Sequence, residues 1–142
     1  MRVLGIDYGE RRVGLALSDP TGTIASPLPT LTRRARKRPP LSALEELARD
    51  HDVGAVVLGL PLTLAGHESD WTREIRDVGD ALAKRLGVPV HYVDERLTSV
   101  MAERAVRSLG LPKREREKKA RIDAAAAILI LQRWLDRQET HS

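Results

Sequence analysis

The chain has 142 residues, of which 42% are hydrophobic, a length and composition that suit one domain with a substantial core. It contains no Cys, which excludes disulfides, Cys-ligated zinc and thiol catalysis. The formal net charge is +4, and aromatic residues make up only 3% of the chain, so recognition of nucleic acid by extensive base stacking is not expected.

Three short segments rich in Val, Leu and Ile begin the chain and predict successive hairpin strands. They cover about residues 2–8, 12–18 and 23–31. Gly9 and the turn sequence at 20–22 separate them. Pro27 and Pro29 suit only an edge or irregular strand, because proline cannot donate a hydrogen bond to a neighbouring strand.

The rest of the chain alternates helical and strand patterns. We predict a helix at 41–48, a strand at 53–60, a helix from 69 or 70 to 86, a strand at 88–94, a helix at 101–109 and a helix at 121–138. Ser69 and Asp70 are both good N-caps, and Gly87 is a typical residue after a helix end. This order predicts an α/β fold with a mixed five-stranded sheet, in which three antiparallel strands precede parallel strands and helices cover both faces.

One domain at 1–138 and a disordered tail at 139–142 are expected. The first strand begins at once, so no secretory signal is expected, and no apolar stretch has the length of a membrane span. We therefore expect a cytoplasmic protein that acts away from membranes.

Basic residues concentrate in two segments, with five Lys or Arg at 33–38 and six at 113–121 out of 24 in the chain. Clustered cations release condensed counterions from nucleic acid, so the segments predict a polyanion-binding surface. The alternative is two solvated loops. The expected nucleic-acid contacts in these segments are Arg33, Arg34, Arg36, Lys37, Arg38, Lys113, Arg114, Lys118 and Lys119.

Three carboxylates stand at the ends of predicted elements. Asp7 ends the first strand, Glu95 follows the fifth strand, and Asp123 opens the last helix. Ligands gather beyond the carboxyl ends of parallel strands, and four alanines at 124–127 would let the last helix lie close to the sheet. The alternative roles are a turn residue for Asp7, a surface salt bridge for Glu95 and interaction with the helix dipole for Asp123.

If the three acids converge, a set of oxygen ligands without a His or Cys cluster favours Mg²⁺ or Mn²⁺. Such a site beside basic segments suits hydrolysis of a phosphodiester by two metal ions about 3.5–4 Å apart. Asp19 and Asp94 are candidate outer partners of the site. The remaining candidate phosphate or substrate contacts are Arg12, Arg96, Thr98, Ser99 and, among the four histidines, His67.

Four sequence blocks in order resemble the RuvX (YqgF) family. They are residues 5–9 continuing to 12–16 and 18–19, residues 59–61 with Gly66, residues 94–99, and Asp123 with Ala126 and Ala127. The resemblance implies an RNase H-like, RuvC-like fold with Asp7, Glu95 and Asp123 as the metal-binding catalytic acids. Family members are described as nucleases for the 5′ end of pre-16S rRNA and as Holliday-junction resolvases. We therefore expect the protein to bind structured RNA or branched DNA and to associate with ribosome precursors. We expect it to be a monomer or a weak homodimer.

Two other classes of function remain open at this point. An ATPase of the actin-hexokinase type also begins with a strand that ends in Asp-x-Gly, but it closes two domains around its nucleotide. A non-catalytic RNA- or ribosome-binding protein would use the basic segments alone. It would bind with a steep salt dependence and would cleave no substrate.

Overall fold

The structure, a computed structural model, describes residues 1–33, 38–98 and 116–141, with only the backbone described for 116–123 and 139–141. Its strands are β1 (Arg2–Tyr8), β2 (Arg12–Ser18), β3 (Ala25–Thr32), β4 (Val53–Leu60) and β5 (Val90–Asp94). Its helices are α1 (Leu41–Asp50), α2 (Asp70–Leu86) and α3 (Arg116–His141), with a one-turn 3-10 helix at Glu95–Leu97. The helix predicted at 101–109 lies outside the described residues.

The five strands form one sheet in the order β3-β2-β1-β4-β5. β2 pairs antiparallel with both β1 and β3, whereas β1, β4 and β5 are parallel. This confirms the predicted mixed sheet. β3 is an edge strand, as Pro27 and Pro29 required.

Successive side chains along each strand point to opposite faces of the sheet and pack into two separate hydrophobic cores. One core packs under α1 and α2 and includes Leu4, Ile6, Tyr8, Leu58 and Leu82. The other lies under α3 and includes Val3, Val57, Ala127, Ile130 and Leu131. Helices therefore cover both faces, as predicted.

Helix α2 has the ends that its sequence predicts. The Ser69 side chain accepts a hydrogen bond from the Thr72 amide, and the Thr72 hydroxyl accepts one from the Ser69 amide, which forms a capping box. Gly87 follows the helix in a left-handed conformation with φ 67°.

Several predicted bounds need correction. β3 begins at Ala25 and β5 at Val90, two residues later than predicted in each case. The last helix covers Arg116–His141 rather than 121–138, and so continues into the expected tail. Among the described residues, none of the helices has the length and apolar character needed to cross a membrane.

Candidate active site

Two of the three predicted acids lie on the same face of the sheet, at the carboxyl edge of its parallel strands. Asp7 is the penultimate residue of β1 and is 2% exposed, and Glu95 directly follows β5 and is 1% exposed. Asp7 alternates with Val3, which packs under α3, so the Asp7 side chain leaves the sheet on the α3 face. Two acids buried this deeply must be compensated by donors or cations, because an isolated carboxylate is costly away from water.

Gly59 lies on the strand between these two acids. β4 separates β1 from β5, and Ile6 pairs with Leu58 while Gly59 pairs with Val93. A Cβ on Gly59 would lie 2.8 Å from Oε1 of Glu95 and 2.5 Å from Cδ1 of Ile130. The missing side chain thus gives the Glu95 carboxylate its place on the α3 face. A glycine inside a buried strand is the sequence signal that could have identified this close approach.

Helix α3 runs antiparallel to β1 across this face. Leu131 Cβ lies 2.6 Å from where a Cβ on Gly5 would be, and the Ala127 carbonyl oxygen lies 3.2 Å from the same position. Further along the helix, the Gln132 side chain accepts a hydrogen bond of 3.0 Å from the amide of Ala25, near the amino edge of β1. The helix therefore approaches the carboxyl edge as it is followed back toward its start.

Position 123 lies one helical turn before Ala127, toward the edge that carries Asp7 and Glu95. The Asp123 side chain is outside the described part of the structure. Within that part, no group of three His, Asp or Glu side chains forms a metal site. Asp7 and Glu95 suit Mg²⁺ or Mn²⁺, because both offer only oxygen donors. They also lie on one face of the sheet, where Gly59 has no side chain to fill the space beside Glu95.

Arg96 is bound to Asp94 rather than free for a phosphate. Its Nε lies 3.0 Å from both carboxylate oxygens of Asp94, its Nη2 lies 2.5 Å from Oδ2, and its Nη1 donates to the Leu64 carbonyl at 3.2 Å. These hydrogen bonds hold the pKa of Asp94 below its usual value and raise the pKa of Arg96. Asp94 therefore stabilises the 3-10 turn that contains Glu95.

Arg33 was predicted as a nucleic-acid contact of the first basic segment, but its side chain is buried against β1. Its side chain is 5% exposed, lies over the Tyr8 ring at 4.7 Å, and donates from Nη1 to the Gly9 carbonyl at 3.2 Å. Its Nη2 lies 3.6 Å from Glu74. Burial raises the pKa of Tyr8, although the Arg33 charge partly opposes this effect. Arg33 thus supports the β1–β2 turn from the face opposite Asp7, and its neighbouring cations in the sequence do not signal this role.

Asp19 was predicted as an outer partner of the carboxylate site, but it lies at the other end of the sheet. It follows β2 near the start of β1, because Ser18 accepts a hydrogen bond of 2.7 Å from the Val3 amide. Asp19 accepts hydrogen bonds from the Ile24 amide, the Thr21 hydroxyl and the Thr23 amide, which lower its pKa. Asp19 therefore organises the β2–β3 turn at the opposite end of the sheet from Asp7.

The other predicted contacts differ in their positions. Arg12 alternates with Val13 and so lies on the α3 face with Asp7, whose strand partner is Gly14. Arg38 and His67 are exposed. The Thr98 hydroxyl donates to the Glu95 carbonyl at 2.8 Å. Outside the described residues or side chains lie Arg34, Arg36, Lys37, Ser99, Lys113, Arg114, Lys118 and Lys119.

The sheet order and the layers around it define the class: this is an RNase H-like fold of the RuvC type. A solved structure of T. thermophilus RuvC in complex with Holliday junction substrate matches with a TM-score of 0.60 at 19% identity, over 99% of this chain and 97% of that one. A second Thermus thermophilus RuvC structure matches with a TM-score of 0.57 at 15% identity.

The chain belongs to the RuvX family, whose model is described as Holliday junction resolvase and matches residues 1–137. A relative from Maridesulfovibrio salexigens is 42% identical over 137 residues, covering 96% of this chain and 99% of the relative. A relative from Mycobacterium leprae is 46% identical over 136 residues, covering 95% of this chain and 72% of the relative. Both relatives are named as candidate pre-16S rRNA nucleases.

Proposed function

We propose that this protein is a metal-dependent nuclease that hydrolyses nucleic-acid phosphodiesters by a two-metal-ion mechanism, with the 5′ end of pre-16S rRNA as its substrate. The observation that carries the proposal is the placement of Asp7 and Glu95. Both are nearly fully buried on one face: Asp7 lies near the end of β1 and Glu95 directly after β5, with Gly59 of β4 between them. Helix α3 leads back to the same edge with position 123.

Asp7, Glu95 and Asp123 would hold Mg²⁺ or Mn²⁺ through carboxylate oxygens. When bound, divalent cations supply an activated water and stabilise charge on the phosphate oxygens. The rigid ends of β1 and β5 keep two of these acids in place, and burial under α3 keeps water from screening them. Arg12, on the same face as Asp7, is the proposed contact to the substrate phosphate nearest the acids.

The substrate is proposed to extend from this edge over the basic segments, where Arg38 is exposed. Backbone contacts of this kind give affinity without base specificity. The proposal includes a cytoplasmic location, association with ribosome precursors, and a monomer or weak homodimer in solution.

A Holliday-junction resolvase is the second candidate, favoured by the description of the family. It differs in substrate and in the need for two active sites related by a dyad. A non-catalytic RNA-binding protein is the candidate of another class. A cleavage assay with two substrates separates all three.

The test is a side-by-side cleavage assay on precursor rRNA fragments and four-way DNA junctions, with Mg²⁺ or Mn²⁺. The Asp7→Asn variant tests the site, and Asp70→Asn is its matched control because the Asp70 side chain is 99% exposed on α2. We expect wild type and Asp70→Asn to cleave the RNA and Asp7→Asn to bind it without cleavage. Mn²⁺ titration should show weakened binding for Asp7→Asn alone.

Each other outcome has a defined meaning. Cleavage of the junction alone would replace the rRNA role by that of a resolvase. Binding of RNA by wild type with no cleavage under any metal would leave only the non-catalytic role. Normal metal-dependent cleavage by Asp7→Asn would remove Asp7 from the site.

A further inference from the structure

We propose that Arg96 is a positioning residue: together with Asp94 it clamps the β4–α2 loop to the turn that carries Glu95, and so fixes the Glu95 carboxylate. This inference rests on the proposed nuclease function for its kinetic consequence. Its structural part, the coupling of loop and turn, can be tested without any activity.

Every nitrogen of the Arg96 guanidinium has a partner in the protein. Nε and Nη2 form the bidentate pair with Asp94, and Nη1 donates to the Leu64 carbonyl at 3.2 Å. A bidentate Arg–carboxylate pair is among the strongest and most directional side-chain contacts. Its neutralised charge leaves little attraction for a phosphate, so the contacts favour a role in geometry.

The β4–α2 loop is shaped to receive this side chain. Between Thr63 and His67 the backbone forms a closed turn, in which the Gly66 amide donates to the Thr63 carbonyl at 2.8 Å and the Thr63 amide donates to the His67 carbonyl at 3.0 Å. Gly66 has φ +85°, and a Cβ there would lie 3.1 Å from Nη1 of Arg96. Both the backbone conformation and the close approach therefore call for glycine.

The clamp reaches Glu95 through the 3-10 turn. Asp94 also accepts the Arg96 amide at 3.0 Å, which caps this turn, and the Thr98 amide and hydroxyl donate to the Glu95 carbonyl at 3.1 and 2.8 Å. Glu95 is thus held by partners on both sides along the chain. A catalytic group needs placement to about 0.5 Å, so a loosened clamp should slow the chemical step more than it weakens substrate binding.

The most specific test perturbs the clamp from the loop side. Gly66→Ala introduces a Cβ against Arg96, and Gly87→Ala is its matched control because Gly87 has φ +67° and a Cβ there would meet no atom within 4 Å. We expect kcat on the substrate that wild type cleaves to fall by roughly tenfold to a hundredfold for Gly66→Ala, with KM within about twofold. Gly87→Ala should keep the wild-type kcat despite a similar loss of stability.

Substitutions of the pair separate positioning from phosphate binding. If Arg96 acts as a clamp, Arg96→Lys should have a kcat as low as that of Arg96→Gln. An ammonium group cannot bridge Asp94 and Leu64 as the planar guanidinium does. Asp94→Asn then lowers kcat in the same way. For a phosphate contact, Arg96→Gln would reduce the salt dependence of nucleic-acid binding by about one unit in slope, Arg96→Lys would retain most affinity, and Asp94→Asn would bind more tightly. That second set of results would overturn the proposal.

Amide hydrogen exchange tests the clamp without any cleavage activity, so it can be used even if the wild-type protein cleaves no substrate. The amides of Gly66, His67 and Thr98 are all hydrogen-bonded, so Arg96→Gln and Gly66→Ala should speed their exchange while Gly87→Ala should not. Unchanged exchange at all three amides in Arg96→Gln would show that the clamp does not hold the loop. Absence of wild-type cleavage would count against the proposed function alone.

Discussion

Oε1 of Glu95 lies over Gly59, 2.8 Å from the position that a β-carbon on this glycine would occupy. The carboxylate and the methyl group of an alanine therefore cannot share this space. Ile130 of α3 crowds the same position at 2.5 Å, so neither the helix nor the acid can move aside without cost.

Gly59→Ala should for this reason lose cleavage activity as well as stability. Overpacking a core typically costs about 1–3 kcal/mol of unfolding free energy. Gly5→Ala is the matched control, because its β-carbon would meet Leu131 at 2.6 Å on the same face without meeting Glu95. Denaturant unfolding and single-turnover cleavage would be measured on both. Equal kcat for two variants of equal stability would show that Gly59 does not set the position of Glu95.

Arg33 and Arg38 should behave as opposites although they lie in one basic segment. Arg33→Gln removes a buried cation from Tyr8 and the Gly9 carbonyl and should cost about 1.5–3 kcal/mol, the range for a hydrogen bond to a charged group. Arg38→Gln should leave the melting temperature unchanged and reduce the salt slope of nucleic-acid binding by about one. Thermal unfolding and binding titrations at several salt concentrations distinguish them. A normal melting temperature for Arg33→Gln would contradict its structural role.

Ser69→Ala should destabilise α2 by about 1 kcal/mol, because it removes the side-chain acceptor of the capping box. Ser69→Gly should cost only a few tenths of that. Both variants should cleave substrate at the wild-type rate once folded, since Ser69 caps the start of α2, which packs on the face of the sheet opposite Asp7. Urea unfolding gives the stability difference. A cap that contributes nothing would leave the two variants and wild type equally stable.

The Asp19 turn should make a pH-dependent contribution to stability. The pKa of Asp19 is lowered in the folded chain by hydrogen bonds from the Ile24 amide, the Thr21 hydroxyl and the Thr23 amide. A lowered folded pKa means that the contribution is complete above the unfolded pKa of about 3.9 and is lost as pH falls toward the folded value. The difference in melting temperature between wild type and Asp19→Ala should be constant from neutral pH to about 5 and shrink below about 4. A difference that does not change with pH would contradict this assignment.

Much of the fold followed from local signals in the sequence. The apolar run at Val53–Leu60 predicted β4 with its observed bounds, and Ser69 with Gly87 predicted the ends of α2. These signals lie in the element itself or directly beside it, so they can be read without knowledge of the tertiary structure. The start of β3 was missed because Asp19 holds a turn that extends to Ile24, and this depends on side-chain hydrogen bonds that composition does not reveal.

The common position of Asp7 and Glu95 at one edge of the sheet was predictable, and the contacts around them were less so. Asp7 and Glu95 could be placed because strand direction alone brings them to one edge. Arg33 was expected to contact nucleic acid because it belongs to a cluster of basic residues, and Arg96 was expected to contact phosphate as a neighbour of Glu95. Their actual partners, Tyr8 and Asp94, depend on side-chain packing that the pattern of charges along the chain cannot supply.

The contact of α3 with β1 has a consequence for the protein during its synthesis. Gly5 and Leu131 touch although they lie near the two ends of the chain. β1 leaves the ribosome long before α3, so the face of the sheet that α3 covers stays open until that helix has also been made. A chain in synthesis can therefore carry Asp7 and Glu95 while both are still open to water, and the burial of these two acids becomes complete only when α3 packs on the sheet.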